Sequence, residues 1–228
     1  MAASIPIRSG ETVLELGCGG GAALACLAAR VPGIVCYGVD IQPGYAALAQ
    51  RNLDESGARG LVYCADINAL PAAVKSLRFH HVIANPPYFE SPHTKPPIAA
   101  DRAFARSGVV PLAEWANVAS RRLRPGGMAT FIQRAERLPE LMAAFRETLG
   151  ALELWPIQPR AGRSAGLFFL RGRKTRRAAF VLHPPLILHR GDRHESDGDS
   201  YTEGVSKALR QPEPLRFPGE RRDESWQC

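Results

Sequence analysis

The tetrapeptide Asn85-Pro86-Pro87-Tyr88 joins residue types that suit one chemical problem. An amine conjugated to a ring or a carbonyl is a poor nucleophile because its lone pair is delocalised. It reacts once its two N–H groups are held and the nitrogen pyramidalises. The Asn85 side-chain oxygen and the Pro86 carbonyl can each accept one of those hydrogens. Pro86 and Pro87 fix φ and donate no hydrogen, so the turn is stiff and its carbonyls are free to face a substrate. Tyr88 offers a ring on which a flipped base or a planar amide stacks, worth about 1–3 kcal/mol for a base. Such a site works by positioning and needs neither a nucleophilic side chain nor a metal. An Asn-Pro turn followed by an aromatic is also an ordinary loop, so its meaning depends on what comes before it.

Upstream lies Glu15-Leu16-Gly17-Cys18-Gly19-Gly20-Gly21, a run that lets backbone pass close to a ligand. Gly17, Gly19 and Ala22 also satisfy a dinucleotide fingerprint, with Asp40 where its ribose-binding acid falls. The glycines alone therefore do not choose the cofactor. Glu15 tips the balance, because a carboxylate there suits the ammonium- or sulfonium-bearing end of S-adenosylmethionine and would repel a pyrophosphate. Asp40 can accept both ribose hydroxyls. Asp66 can accept from an adenine amino group, with Ile41 and Ile67 as apolar faces for the ring. Alone, Asp66 would read as a helix N-cap; three acids at three successive strand ends favour a ligand.

The elements that must position these residues follow from short apolar runs alternating with Ala- and Leu-rich stretches at helical spacing. Strands are expected over 12–16, 34–40, 61–64 and 81–84, with helices over 22–30 and 44–56 and a short one near 71–77. A Pro-rich loop over 85–97 leads to a helix over 112–123, stopped by Pro125-Gly126-Gly127. A fifth strand, 128–133, a helix, 136–149, and strands near 152–157, 166–171 and 178–182 complete the pattern, the last three close enough for an antiparallel finish. The class is α/β, a mostly parallel sheet with helices on both faces.

The segments VLELGCGGG, GVDI, ADI, NPPYF and LRPGG resemble the class I amino-methyltransferases, and more closely the bacterial tRNA adenine-N6 methyltransferases. The resemblance implies a Rossmann-like, seven-stranded methyltransferase sheet, mostly parallel with an antiparallel C-terminal end. It also implies S-adenosylmethionine bound through Glu15, Gly17, Gly19, Gly21, Asp40, Ile41, Asp66, Ile67 and Asn85, with Asn85, Pro86, Pro87 and Tyr88 as the catalytic loop. Its substrate would be adenine 37 of a valine tRNA. The family usually carries an N-terminal cover segment before the first strand, and residues 1–11 are all that precede it here, so that cover is expected to be missing. Residues 1–211 are expected to form one methyltransferase domain and 212–228 a flexible charged tail.

Composition bounds the rest. A chain of 228 residues can bury one full core, and no apolar run reaches the roughly 20 residues of a membrane span, so a cytoplasmic protein is expected. The five cysteines form no CxxC pair and read as reduced core thiols, and the six histidines lack metal spacing, so no metal is expected. A net charge of +7 favours a polyanion such as tRNA or another structured RNA. The same loop would also serve a protein glutamine methyltransferase or an enzyme of another nucleobase. A methyltransferase-fold protein that binds RNA with weakened catalysis is a further reading.

Overall fold

The computed structural model describes residues 1–88, 110–192, 200–211 and 213–220. The expected loop over 85–97 is described through Tyr88; its remainder, His194 and Cys228 lie outside the described residues.

β1 (Thr12–Leu16), α1 (Ala22–Arg30), β2 (Val35–Asp40), α2 (Pro43–Glu55), β3 (Arg59–Cys64), α3 (Ala72–Ser76) and β4 (Phe79–Ala84) alternate as expected. α4 (Leu112–Arg122), β5 (Leu123–Arg134), α5 (Leu138–Thr148), β6 (Gly150–Gln158), β7 (Leu167–Arg173), β8 (Val181–Leu182), β9 (Leu186–Ile187) and α6 (Glu203–Arg210) follow. The strand order is β3-β2-β1-β4-β5-β7-β6-β8, with β9 also on β6. The chain thus reverses its winding between β1 and β4, and the carboxyl ends there form the crevice where ligands of such sheets bind.

Burial on both faces fixes the parallel half. In β4, Val82 and Ala84 join a core with Leu14, Leu16, Trp115, Ala116 and Phe145, while Ile83 joins Val13, Leu24, Leu27 and Leu53 on the other side. This is the two-residue alternation of a strand with helices on both faces. α4 buries Leu112, Trp115, Ala116 and Ala119 at helical spacing.

Several expectations need correction. Pro125-Gly126-Gly127 do not stop α4, which ends at Arg122 and passes through extended Leu123 directly into β5. The glycines instead form a bulge: Phe79 faces Leu123 while His81 faces Met128, and a Cβ on Gly127 would lie 2.9 Å from the Phe79 carbonyl oxygen. The finish is not wholly antiparallel. β7 is antiparallel to β5 and β6, but β8 and β9 pair parallel with β6, giving nine strands among the described residues rather than seven. The chain crosses the start of β6 at Gly150, where an added Cβ would meet the Arg176 carbonyl oxygen at 1.9 Å.

The expected loose tail is anchored as far as Glu220. The Leu215 amide donates to the Ala3 carbonyl, Phe217 is buried against Trp155 and Phe169, and the Arg171 guanidinium lies 3.7 Å over the Phe217 ring while pairing with Glu220. Cys18 and Cys36 are buried, with burial pushing both thiols up to about 12, but Cys26 and Cys64 are exposed. Arg137 and Arg171 are buried. No helix among the described residues is long and apolar enough to cross a membrane.

Candidate active site

The turn after β1 is set by close packing. Gly17 has φ +65°, and a Cβ there would also stand 2.9 Å from the Trp115 ring, so glycine is required on both counts. The Cys18 amide donates to the Val39 carbonyl at 3.0 Å, and the Gly19 amide to the Asp40 carboxylate at 2.8 Å. The second Asp40 oxygen accepts from the Gln42 amide at 2.9 Å. Two backbone donors thus hold the carboxylate rigid at the end of β2, with lone pairs left for further hydroxyl donors.

A cavity of about 280 Å³ opens at this edge, lined by Gly17, Gly19, Asp40, Ile41, Tyr45, Asp66, Ile67, Asn85, Pro87 and Trp115 among others. Eight residues singled out from the sequence thus share one wall. The size is near the lower end for small-molecule sites. Ile41 and Tyr45 remain 46% and 42% exposed, apolar surface that a planar ring can cover. Asp66 accepts from the Asn68 amide at 2.8 Å and caps the turn at Ile67–Ala69; the N-cap role and a place on the cavity wall coexist.

Glu15 and Gly21 do not line the cavity. Glu15 is buried on the far face of β1, and its Oε2 has no hydrogen-bond partner among the described residues. Burial pushes its carboxyl up to about 8; the nearby N-terminal ammonium pulls it down and the Asp40 charge pushes it up by lesser amounts. The Trp115 indole nitrogen is likewise buried without a hydrogen-bond partner among the described residues.

The Asn85–Tyr88 loop is held from inside the protein. The Tyr88 hydroxyl donates to the Asn85 side-chain oxygen at 2.8 Å. Burial raises the Tyr88 pKa, so it remains a donor. Fully buried Gln133 donates through Nε2 to the Pro86 carbonyl at 3.2 Å, and Arg137 donates to the Pro87 carbonyl at 3.4 Å. Arg137 is clamped by Glu140, whose Oε1 accepts from the Leu112 amide at the start of α4. The Arg134 guanidinium stands 5.4 Å from the Tyr88 ring centroid. The proline carbonyls expected to be free for substrate are therefore already engaged, each with one lone pair remaining.

Sequence reasoning missed Gln133, Trp115 and the structural role of Arg137. A glutamine closing the apolar strand MATFI was the available signal, since a buried amide must find partners.

A family model described as "Methyltransferase domain" matches residues 13–106. A solved structure of a predicted O-methyltransferase from Agrobacterium tumefaciens superposes with TM-score 0.74 at 25% identity, covering 97% of each chain. Residues 13–106 thus match a methyltransferase domain, and the chain has the class I methyltransferase fold. Among curated proteins, a tRNA1(Val) (adenine(37)-N6)-methyltransferase of Porphyromonas gingivalis is 31% identical over 145 residues, covering 61% of this chain and 54% of that protein. A release factor glutamine methyltransferase of Geobacter sulfurreducens is 37% identical over 76 residues, covering 33% and 26%. The chain thus spans about a quarter to a half of the length of these curated relatives.

Proposed function

We propose that this chain is an S-adenosylmethionine-dependent N-methyltransferase whose acceptor is an exocyclic amino nitrogen, adenine N6 in tRNA. One observation carries the reading: Asn85 and Pro87 line the same cavity as Gly17, Gly19, Asp40 and Asp66, so an amine-holding loop borders the pocket that fits the cofactor. Asp40 would take the ribose hydroxyls, Ile41 and Ile67 the adenine faces and Asp66 its amino group. S-adenosylmethionine supplies an electrophilic methyl group on a sulfonium.

The protein's part is to hold the amine. The Asn85 oxygen has a lone pair left after accepting from Tyr88, and the Pro86 carbonyl one after accepting from Gln133. Each can take one N–H of the acceptor, which would leave the nitrogen lone pair free for methyl transfer, the S–CH3 bond breaking as the cofactor leaves as its neutral thioether. The surplus nitrogen proton leaves to solvent. Because both acceptors are fixed before substrate arrives, little reorganisation is needed. Adenine in tRNA is favoured over a peptide amide by the net charge of +7 and by relatives so named. The glutamine reading rests on the Geobacter relative.

Transfer of labelled methyl from S-adenosylmethionine to total tRNA from a strain lacking the gene should exceed transfer to release factor, with N6-methyladenosine as the product nucleoside. The reverse ranking would replace the RNA assignment by the glutamine one.

A further inference from the structure

At the opposite, amino edge of the same strands the charge is different. Arg78 precedes β4, Arg122 ends α4, Arg124 begins β5, Arg173 ends β7, and Lys174 and Arg176 follow in the turn beyond it. The bulge in β5 draws them together: the Gly126 amide donates to the Lys174 carbonyl and the Lys174 amide to the Gly127 carbonyl, both at 2.9 Å. The backbone of Arg176 is seated against Gly150.

Four of these cations, Arg78, Arg122, Arg173 and Lys174, each donate to a backbone carbonyl. Arg78 donates to the Lys75 carbonyl at 3.0 Å, to which Arg122 also donates; Lys174 donates to the Ser120 carbonyl at 2.6 Å and Arg173 to that of Gly126 at 3.3 Å. Arg124 lies 2.7 Å from the His80 ring nitrogen. Beside them opens a cleft of about 350 Å³, where Glu11 and Glu220 also stand. Both carboxylates are committed elsewhere, Glu11 to His81 at 3.1 Å and Glu220 to Arg171. Burial, then the neighbouring cations, lower the pKa values of Arg122 and Lys174. Such crowding of like charge costs stability by itself and is relieved by a polyanion.

We infer that this amino-edge rim of Arg78, Arg122, Arg124, Arg173, Lys174 and Arg176 binds the phosphodiester backbone of the RNA whose base is presented to the Asn85 loop at the other edge. The inference rests on the RNA reading of the preceding section. A row crossing β4, β5 and β7, at roughly 4.8 Å between neighbouring strands, is longer than one phosphate and suits a polymer. Guanidinium groups match phosphate oxygens in bidentate geometry.

The test compares the full chain with the triple variant Arg78→Ala, Arg124→Ala, Arg176→Ala and with a charge-matched control, Arg51→Ala, Arg59→Ala, Arg146→Ala, in exposed positions on α2, β3 and α5. Binding of unmodified tRNA from the deletion strain is measured across a salt series, and S-adenosylmethionine affinity by calorimetry checks the fold. The amino-edge triple should lower the slope of log K against log salt by about 2–3, roughly one per lost phosphate contact. It should weaken binding more than about tenfold at 0.1 M salt and leave cofactor affinity unchanged. An unchanged slope, or an equal fall in the control, overturns the surface while the RNA reading stands. If the unaltered protein binds cofactor and methylates release factor but shows no salt-dependent tRNA binding, the RNA reading fails and takes this inference with it.

Discussion

At the carboxyl edge of the sheet Asp40 and Asp66 face a small, partly apolar cavity. About 20 Å away, the length of six-residue β4 at ~3.3 Å per residue, arginines and a lysine crowd around carbonyl oxygens at the amino edge. The difference teaches that the net charge of +7 is a sum over two ends of unlike chemistry. An acidic end suits a cationic cofactor, and a basic end suits a polyanion. If the division is functional, each end can be disabled without the other.

The largest separation should come from Asn85→Ala. Removing the fixed acceptor should lower kcat by about 10²–10³, the usual cost of losing one preorganised group of this kind. S-adenosylmethionine affinity and the salt slope of tRNA binding should stay near their original values. Parallel loss of cofactor affinity, read by calorimetry, would mean that Asn85 serves the cofactor pocket and not the amine.

A second separation uses pH. The Glu15 carboxyl titrates near 4.5 when unfolded and is pushed up to about 8 in the fold, first by burial. Between those values the folded state holds one more proton than the unfolded state, so stability falls as pH rises through the window and is level above it. Glu15→Gln removes the titration. Its melting temperature relative to the unaltered protein should therefore climb between pH 5 and pH 8 by roughly 5–10 °C, for a difference on the order of a few kcal/mol. A gap that stays constant over that range would show that Glu15 is ionised in the fold.

The parallel half of the fold was legible because its strands are buried on both faces and end at residues that mark the ligand edge, so Gly17, Asp40, Asp66 and Asn85 could be placed by pattern alone. The rest depended on long-range contacts. Nothing local to Gly126-Gly127 distinguishes a helix stop from a strand bulge; the deciding neighbour is the Phe79 carbonyl. The parallel return of β8 depends on Gly150 admitting the Arg176 backbone, and the anchoring of the tail depends on Phe217 finding Trp155, Phe169 and Arg171. The engagement of the proline carbonyls could not be read from the loop itself, because Gln133 lies 47 positions from Pro86.

Gln133 makes the finest distinction, since β5 carries it at one edge and the Arg124–Gly127 bulge at the other. Its Nε2 donates to Pro86 while its Oε1 accepts from the Arg134 amide at 2.8 Å. Gln133→Met keeps the volume and removes both the donor to Pro86 and the acceptor of the Arg134 amide. The Pro86 carbonyl would then have no fixed partner on that side and the loop more freedom, so kcat should fall about tenfold, equivalent to ~1.4 kcal/mol of lost positioning. Cofactor affinity and the tRNA salt slope should not move, because neither the Asp40 pocket nor the amino edge is touched. A kcat within twofold of the original would assign the stiffness of the loop to the Tyr88–Asn85 and Arg137–Pro87 hydrogen bonds instead. A change in salt slope would mean that β5 couples the two edges and that they do not act as separate sites.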